Sequence, residues 1–268
     1  DDSEGTESNL KNPDIVNGKS NAENEITDET QERLSKYEKQ YQSLEMRYAS
    51  LKEKYTDIED YSSWQEDTIP ANKITLVNNG THAGPKTPLV LQTIRYLAKN
   101  ADNVTIQTPY VICNGYMYDT LNEIASHAQL KIILNAVEKG SNPWGCTDYL
   151  NQKKKILNTG ADVYELMNEV PVHTKAVLFD DRLSVVGSYN LDMRSTYLDT
   201  ELMLVIDSKE LNQQIQSTEG TYIEKSKEVL SNGQETEGVQ YETKVLNWQK
   251  KLFYGVLRII IRPLRQLL

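Results

Sequence analysis

Cysteine, phenylalanine and histidine are scarce in this sequence, with two, two and three copies among 268 residues. Cys113 and Cys146 have no metal-type spacing and are too few for a disulfide framework, so free buried thiols are the expectation. No apolar run reaches the length that a membrane-spanning helix needs. Apolar residues make up 38%, which is low for a chain that is globular throughout, so part of it is expected to be extended or disordered. Bases are outnumbered by acids, 29 to 39. Five of those bases (Lys250, Lys251, Arg258, Arg262, Arg265) sit in 250–268, which has no acid. The remainder is strongly acidic, and that argues against broad, charge-driven binding of nucleic acid.

What the sequence does contain is laid out in blocks. Residues 1–28 are acidic and poor in apolar side chains, and read as disordered. Over 29–60, Leu34, Tyr37, Tyr41, Leu44, Tyr48, Leu51, Tyr55 and Ile58 follow an unbroken heptad spacing, which predicts a long amphipathic helix. A coiled-coil dimer is one reading of that stripe. Its four tyrosines suit a half-wet surface better than a tight seam, so a single helix lying on its own domain is preferred. Residues 61–72 read as a linker. An alternation then begins, with strands at 73–78, 103–110, 130–137 and 161–166 and helices at 88–101, 117–126 and 146–159. A strand at 201–208 and a polar helix near 209–230 close this unit, taken as a domain over 73–232. The alternation predicts an α/β fold, a mixed sheet covered on both faces. Residues 233–249 read as a second linker.

The chemistry concentrates between Val172 and Glu201. Ala176–Phe179 and Leu183–Val186 are apolar or β-branched and flank Asp180-Asp181-Arg182, a turn sequence. On an extended chain His173 and Lys175 would point to the same side, and Gly187-Ser188 would end the second strand beside them. An imidazole, an ammonium, the Ser188 hydroxyl and the Asn190 amide would then converge. That set suits attack on a phosphate diester: a neutral imidazole is a good nucleophile, fixed donors hold the phosphate oxygens, and a carboxylate such as Glu201 would orient the ring. No metal or organic cofactor is called for. Taken singly, a strand histidine is more often half-buried structure, and paired aspartates are more often a turn. Several fixed offsets have to be judged jointly.

The spacing of His173, Lys175, Asp180, Gly187, Ser188 and Asn190 resembles the HKD signature of the phospholipase D superfamily. The continuation Asn190-Leu191-Asp192-Met193-Arg194-Ser195 and Glu201 resembles bacterial cardiolipin synthases and related phospholipase D-like proteins, specifically their C-terminal half. Asp199 departs from the pattern, since many relatives carry Asn there. The resemblance implies a phospholipase D-like mixed sheet flanked by helices, here preceded by the long helix. It also implies phosphatidyl transfer or phosphodiester hydrolysis through a phosphohistidine. His173 would be the nucleophile or the acid that protonates the leaving group. Lys175, Ser188 and Asn190 would bind phosphate, Glu201 would hold the imidazole, and Asp180, counted with the catalytic set, would mainly support local structure.

The family uses two such motifs, one histidine attacking while the other acts as acid. Neither His82 nor His127 belongs to a second one. The missing half is expected from an absent N-terminal region, since the chain opens at Asp1 without Met, or else from a homodimer mate. Tyr110 and Trp144, in loops beside Pro and Gly, are candidates for an acyl or headgroup pocket. In 250–268, dense apolar residues alternate with the five bases. The expectation is a membrane-contact helix on anionic lipid, kinked or ended near Arg262 by Pro263; a helix packed on the sheet is the alternative. A phosphatidylglycerol-type substrate and a peripheral place at a bacterial membrane follow from the resemblance. The rivals are a phosphodiesterase or nuclease of the same superfamily, and a non-catalytic membrane-bound interaction module.

Overall fold

The computed structural model describes residues 28–56, 62, 66 and 68–267 and divides into two units at Thr68. In the first unit, α1 spans Asp28–Lys54, rich in the strong helix formers Glu, Lys, Gln and Leu, with Lys52 and Lys54 in its last turn facing the negative helix end. The expected disordered segment over 1–28 lies outside the described residues save for Asp28, as do Ile58 of the heptad stripe and most of 57–67.

The second unit is built on a nine-stranded sheet in the order β1-β9-β7-β6-β2-β4-β5-β10-β11. Its strands are β1 (Lys73–Asn78), β2 (Asn103–Gln107), β4 (Gln129–Asn135), β5 (Asp162–Leu166), β6 (Ala176–Phe179), β7 (Leu183–Gly187), β9 (Leu202–Asp207), β10 (Ser226–Val229) and β11 (Glu235–Glu237). β2, β4 and β5 run parallel, as strands joined by helical crossovers must. All other pairings within this sheet are antiparallel, starting with the β6–β7 hairpin. The expected mixed sheet is what forms.

One face carries Val104, Ile106, Leu130, Ile132, Val163, Val177 and Val185, all buried. It is covered by α2 (Leu89–Ala98), α3 (Gly115–Ala125) and α4 (Pro143–Leu157). These helices present Leu91 and Ile94, Met117 and Leu121, and Tyr149 and Ile156 to the shared core. The other face buries Ile133, Tyr164 and Leu166 against Tyr222 and Ile223 of α6 (Lys209–Glu224). Asn114, Asn142 and Ser208 cap α3, α4 and α6 by accepting from helix N–H groups.

Two expectations are corrected. The polar helix near 209–230 ends at Glu224, and 226–229 is a strand whose alternation was too short and polar to read. The linker over 233–249 contains β11, which extends the sheet edge through main-chain bonds that need no apolar signal. The C-terminal helix α7 (Trp248–Ile260) packs on the domain by burying Tyr254 and Leu257, with Ile261 just beyond its end. It stops ahead of Pro263 and continues as a 3₁₀ turn, Arg262–Leu267, close to the expected break.

Candidate active site

The site lies where the C-terminal ends of β2 and β4 meet the segment that leads into β6. Residues 168–175 have no regular secondary structure, so His173 and Lys175 stand just ahead of the strand rather than on it. They still meet. The Lys175 Nζ donates to Nδ1 of His173 at 2.7 Å and to the His173 carbonyl at 2.7 Å. An ammonium can only donate, so Nδ1 must offer its lone pair and a neutral ring carries its proton on Nε2. Burial lowers the His173 pKa from its ordinary value, and the Lys175 charge lowers it further. Burial also lowers that of Lys175, which is 8% exposed, with Glu201 and Asp192 pulling the other way.

The hairpin delivers the other groups. The Gly187 N–H bonds back to the Lys175 carbonyl at 3.3 Å, and a Cβ on Gly187 would lie 2.1 Å from the Leu202 carbonyl oxygen. Only glycine allows that closeness of β7 to β9. Ser188 follows at once. Its hydroxyl donates to the Glu201 carboxylate and accepts from the Leu202 N–H at 3.0 Å. Glu201 is buried. The expected pairing of Glu201 with the imidazole is thus not the arrangement seen: Glu201 holds Ser188, and His173 is held by Lys175. Asn190 Nδ2 donates to Ser195 Oγ at 3.2 Å, while its Oδ1 is buried with no hydrogen-bond partner.

Asp180 does not join the site. It sits at the opposite end of β6, roughly 16 Å of extended chain from Lys175. Its backbone takes a positive φ of 50°, which Asp tolerates, and its Oδ1 accepts from the N–H groups of Asp102 (3.0 Å) and Asn103 (2.9 Å). Its work is to join the β6–β7 turn to the start of β2.

Asp192 is the residue that sequence reasoning passed over. A short parallel pair, β3 (Val111–Ile112) with β8 (Leu191–Asp192), places it beside the site. It caps α5 (Met193–Tyr197) by accepting from the Ser195 N–H at 2.6 Å. Burial raises its pKa to about 6. The Asp-x-x-Ser spacing before a short helix was the available signal.

Tyr110 is half-buried, its ring packed over Gly145. Its pKa is raised by burial first and then by the Asp192 charge. Trp144, on the first turn of α4, is 43% exposed. Arg194 binds Asp199 at 2.9 Å, so the departure at 199 gives that guanidinium a charged partner. His127 is held by carbonyls of Glu123 and Ala98, both at 2.9 Å, and His82 bonds its neighbour Ala83 at 3.1 Å. Among the described residues no His/Cys/Asp/Glu group could hold a metal ion.

Residues 93–218 match the family described as cardiolipin synthase, PLD-like domain. Cardiolipin synthase A of Klebsiella pneumoniae strain 342 is 30% identical over 142 residues, 51% of this chain and 27% of that protein. The Buchnera aphidicola (Schizaphis graminum) cardiolipin synthase A is 27% identical over 169 residues, 61% of this chain and 32% of that protein. The chain therefore spans about a third or less of the length of these relatives. Among solved structures, phosphatidylserine synthase of Haemophilus influenzae is similar with a TM-score of 0.49 and 16% identity, covering 73% of this chain and 48% of that one.

Proposed function

We propose, from the match of residues 93–218 to the family described as cardiolipin synthase, PLD-like domain, that the chain processes phospholipids by phosphatidyl transfer or phosphodiester hydrolysis. The observation that carries the reading is the buried Lys175 ammonium, hydrogen-bonded to a neutral His173. A phosphate arriving there takes the ammonium as its counter-charge. Nδ1 is then free to hold the ring proton, and Nε2 gains the lone pair for attack. The Nε2–P bond forms as the bond from phosphorus to the leaving alcohol oxygen breaks, and that oxygen takes a proton from an acid outside this half-site. Water or a lipid hydroxyl, giving its proton to the conjugate base of that same acid, then attacks phosphorus, breaks the N–P bond and restores the imidazole. The Asn190 amide, and Ser188 once its hydroxyl proton turns from Glu201 to the phosphate, hold the non-bridging oxygens. Tyr110 and Trp144 border the acyl or headgroup side. The acid comes from a second half-site, in another region of a longer protein or in a second copy.

We further propose that α7 lies on anionic lipid. Leu252, Phe253, Val256, Ile259 and Ile260 remain exposed on a helix that already buries Tyr254 and Leu257, with Lys250 and Lys251 among them. Among the described residues no helix is long and apolar enough to cross a membrane.

The test is phosphatidylglycerol turnover with the mass in solution measured by light scattering on the same sample. The expected result is turnover that disappears in His173→Ala. A dimer with that behaviour builds its site from two copies. A monomer without turnover needs the second half supplied. Turnover that survives His173→Ala, or cleavage of DNA in place of lipid, overturns the reading.

A further inference from the structure

His173 projects from a stretch that lacks a strand neighbour, yet its backbone has to be fixed for the ring to meet Lys175. The fixing comes from β4. Asn135, the last residue of that strand and 6% exposed, turns its side-chain amide toward Val172. Its Nδ2 donates to the Val172 carbonyl at 2.8 Å, and its Oδ1 accepts from the Val172 N–H at 2.9 Å. These are the two main-chain bonds that an adjacent strand would have made. The same Nδ2 reaches the Pro109 carbonyl at 3.3 Å, next to Tyr110, and the Asn135 N–H reaches that carbonyl as well. One side chain thus stitches together both loops that border the site. The Val172 side chain packs beside Ile133, Tyr164 and Leu166 on the sheet, so the residue before His173 is held by its main chain and its side chain alike.

We infer that Asn135 is a positioning residue for His173, acting through Val172 to set where the imidazole stands relative to Lys175. An amide is needed because the position must donate and accept at once toward one peptide unit. Alanine leaves both Val172 groups without those partners, and aspartate keeps the acceptor but sets a carboxylate oxygen against two carbonyls.

The inference rests on His173 being the reacting group, and its readout is chosen to stand apart from turnover. With three histidines in the chain, the His173 imidazole can be followed by NMR titration of the full chain, using His82→Gln and His127→Gln for assignment. Asn135→Ala is expected to raise the His173 midpoint by about half a unit, as the ring moves off the ammonium. Where turnover is measurable, kcat is expected to fall about tenfold with KM little changed. Asn212→Ala is the control: Asn212 is fully buried and bonds the Leu183 carbonyl at 2.8 Å under α6, away from the site. It should lower Tm and leave His173 unmoved. If Asn135→Ala does not fold, Asn135→Asp carries the same measurement. A folded Asn135 variant with an unchanged His173 midpoint overturns the inference, even where turnover depends on His173. A shifted midpoint beside turnover that survives His173→Ala supports the positioning role and overturns the proposed function instead.

Discussion

Arg265 closes on Asp148 through two charge-assisted hydrogen bonds, 2.7 Å from Nε and 2.8 Å from Nη2, and the carboxylate it meets is fully buried. Asp148 also accepts from Gln152, whose carbonyl oxygen in turn receives the Cys113 N–H at 2.9 Å. The C-terminal turn is thereby tied into the centre of α4. Arg265→Met would leave a buried charge without its counter-ion, and the expected cost is about 3 kcal/mol, read by denaturant unfolding. A change below ~1 kcal/mol would mean that the pair is solvated in solution.

That tie decides how membrane contact should be tested. Deleting 250–268 would remove the lipid-facing side chains and the partner of Asp148 together. Phe253→Ser with Ile260→Ser changes exposed positions only. Flotation with phosphatidylglycerol-containing liposomes is expected to fall at least severalfold for this double variant, with Tm nearly unchanged. Equal flotation would remove α7 as the contact.

The His173 imidazole should titrate below its ordinary 6.5, since burial and the Lys175 charge both oppose the imidazolium. Lys175→Met removes one of those causes, so the midpoint should rise toward 6.5. In the wild type the ring stays neutral further into the acid range, and the acidic limb of the pH–rate profile should lie below 6.5. An imidazole that titrates above its ordinary value would contradict the contact.

Gly187→Ala should be far more damaging than a surface glycine change. The new methyl would meet the Leu202 carbonyl oxygen at 2.1 Å and Met203 Cα at 2.9 Å, both backbone atoms that cannot swing aside. Forcing β7 from β9 should cost roughly 3 kcal/mol and displace Ser188 from Glu201. Gly220→Ala, where nothing lies within 4 Å, is the control and should be neutral or mildly stabilising.

Glu165, on β5, is buried beside Lys153 at 2.8 Å and Lys227 at 3.2 Å and accepts from the Tyr149 hydroxyl at 2.8 Å. Burial alone would raise its pKa, but the two lysines and Tyr149 together hold it below its ordinary 4.5. Between the lowered folded value and 4.5 the unfolded chain binds more protons, so this stability is present above 4.5 and is lost as pH falls through the folded value. Glu165→Gln should flatten the acid side of a Tm-against-pH curve, and an unchanged curve would remove Glu165 from the acid response.

Much of the fold could be read in advance because its signals are local. The heptad stripe gave α1, period-2 and apolar runs gave β1, β2, β4, β5, β6, β7 and β9, and Pro263 lies close to the end of α7. β10 and β11, at one margin of the sheet, escaped because their main-chain bonds hold them with little apolar pattern.

The sequence by itself determined the candidate site: His173, Lys175, Ser188 and Asn190 stand at offsets that the β6–β7 hairpin and its flanking segments bring to one rim. Tertiary structure alone decided their partners. Glu201 holds the Ser188 hydroxyl, Asp180 serves the far end of β6, and Asp192 and Asn135 come in from β8 and β4. The physical reason is that a hydrogen bond forms between atoms within about 3 Å, whatever their separation along the chain. Asn135 and Val172 are 37 residues apart, and only the parallel sheet makes them neighbours.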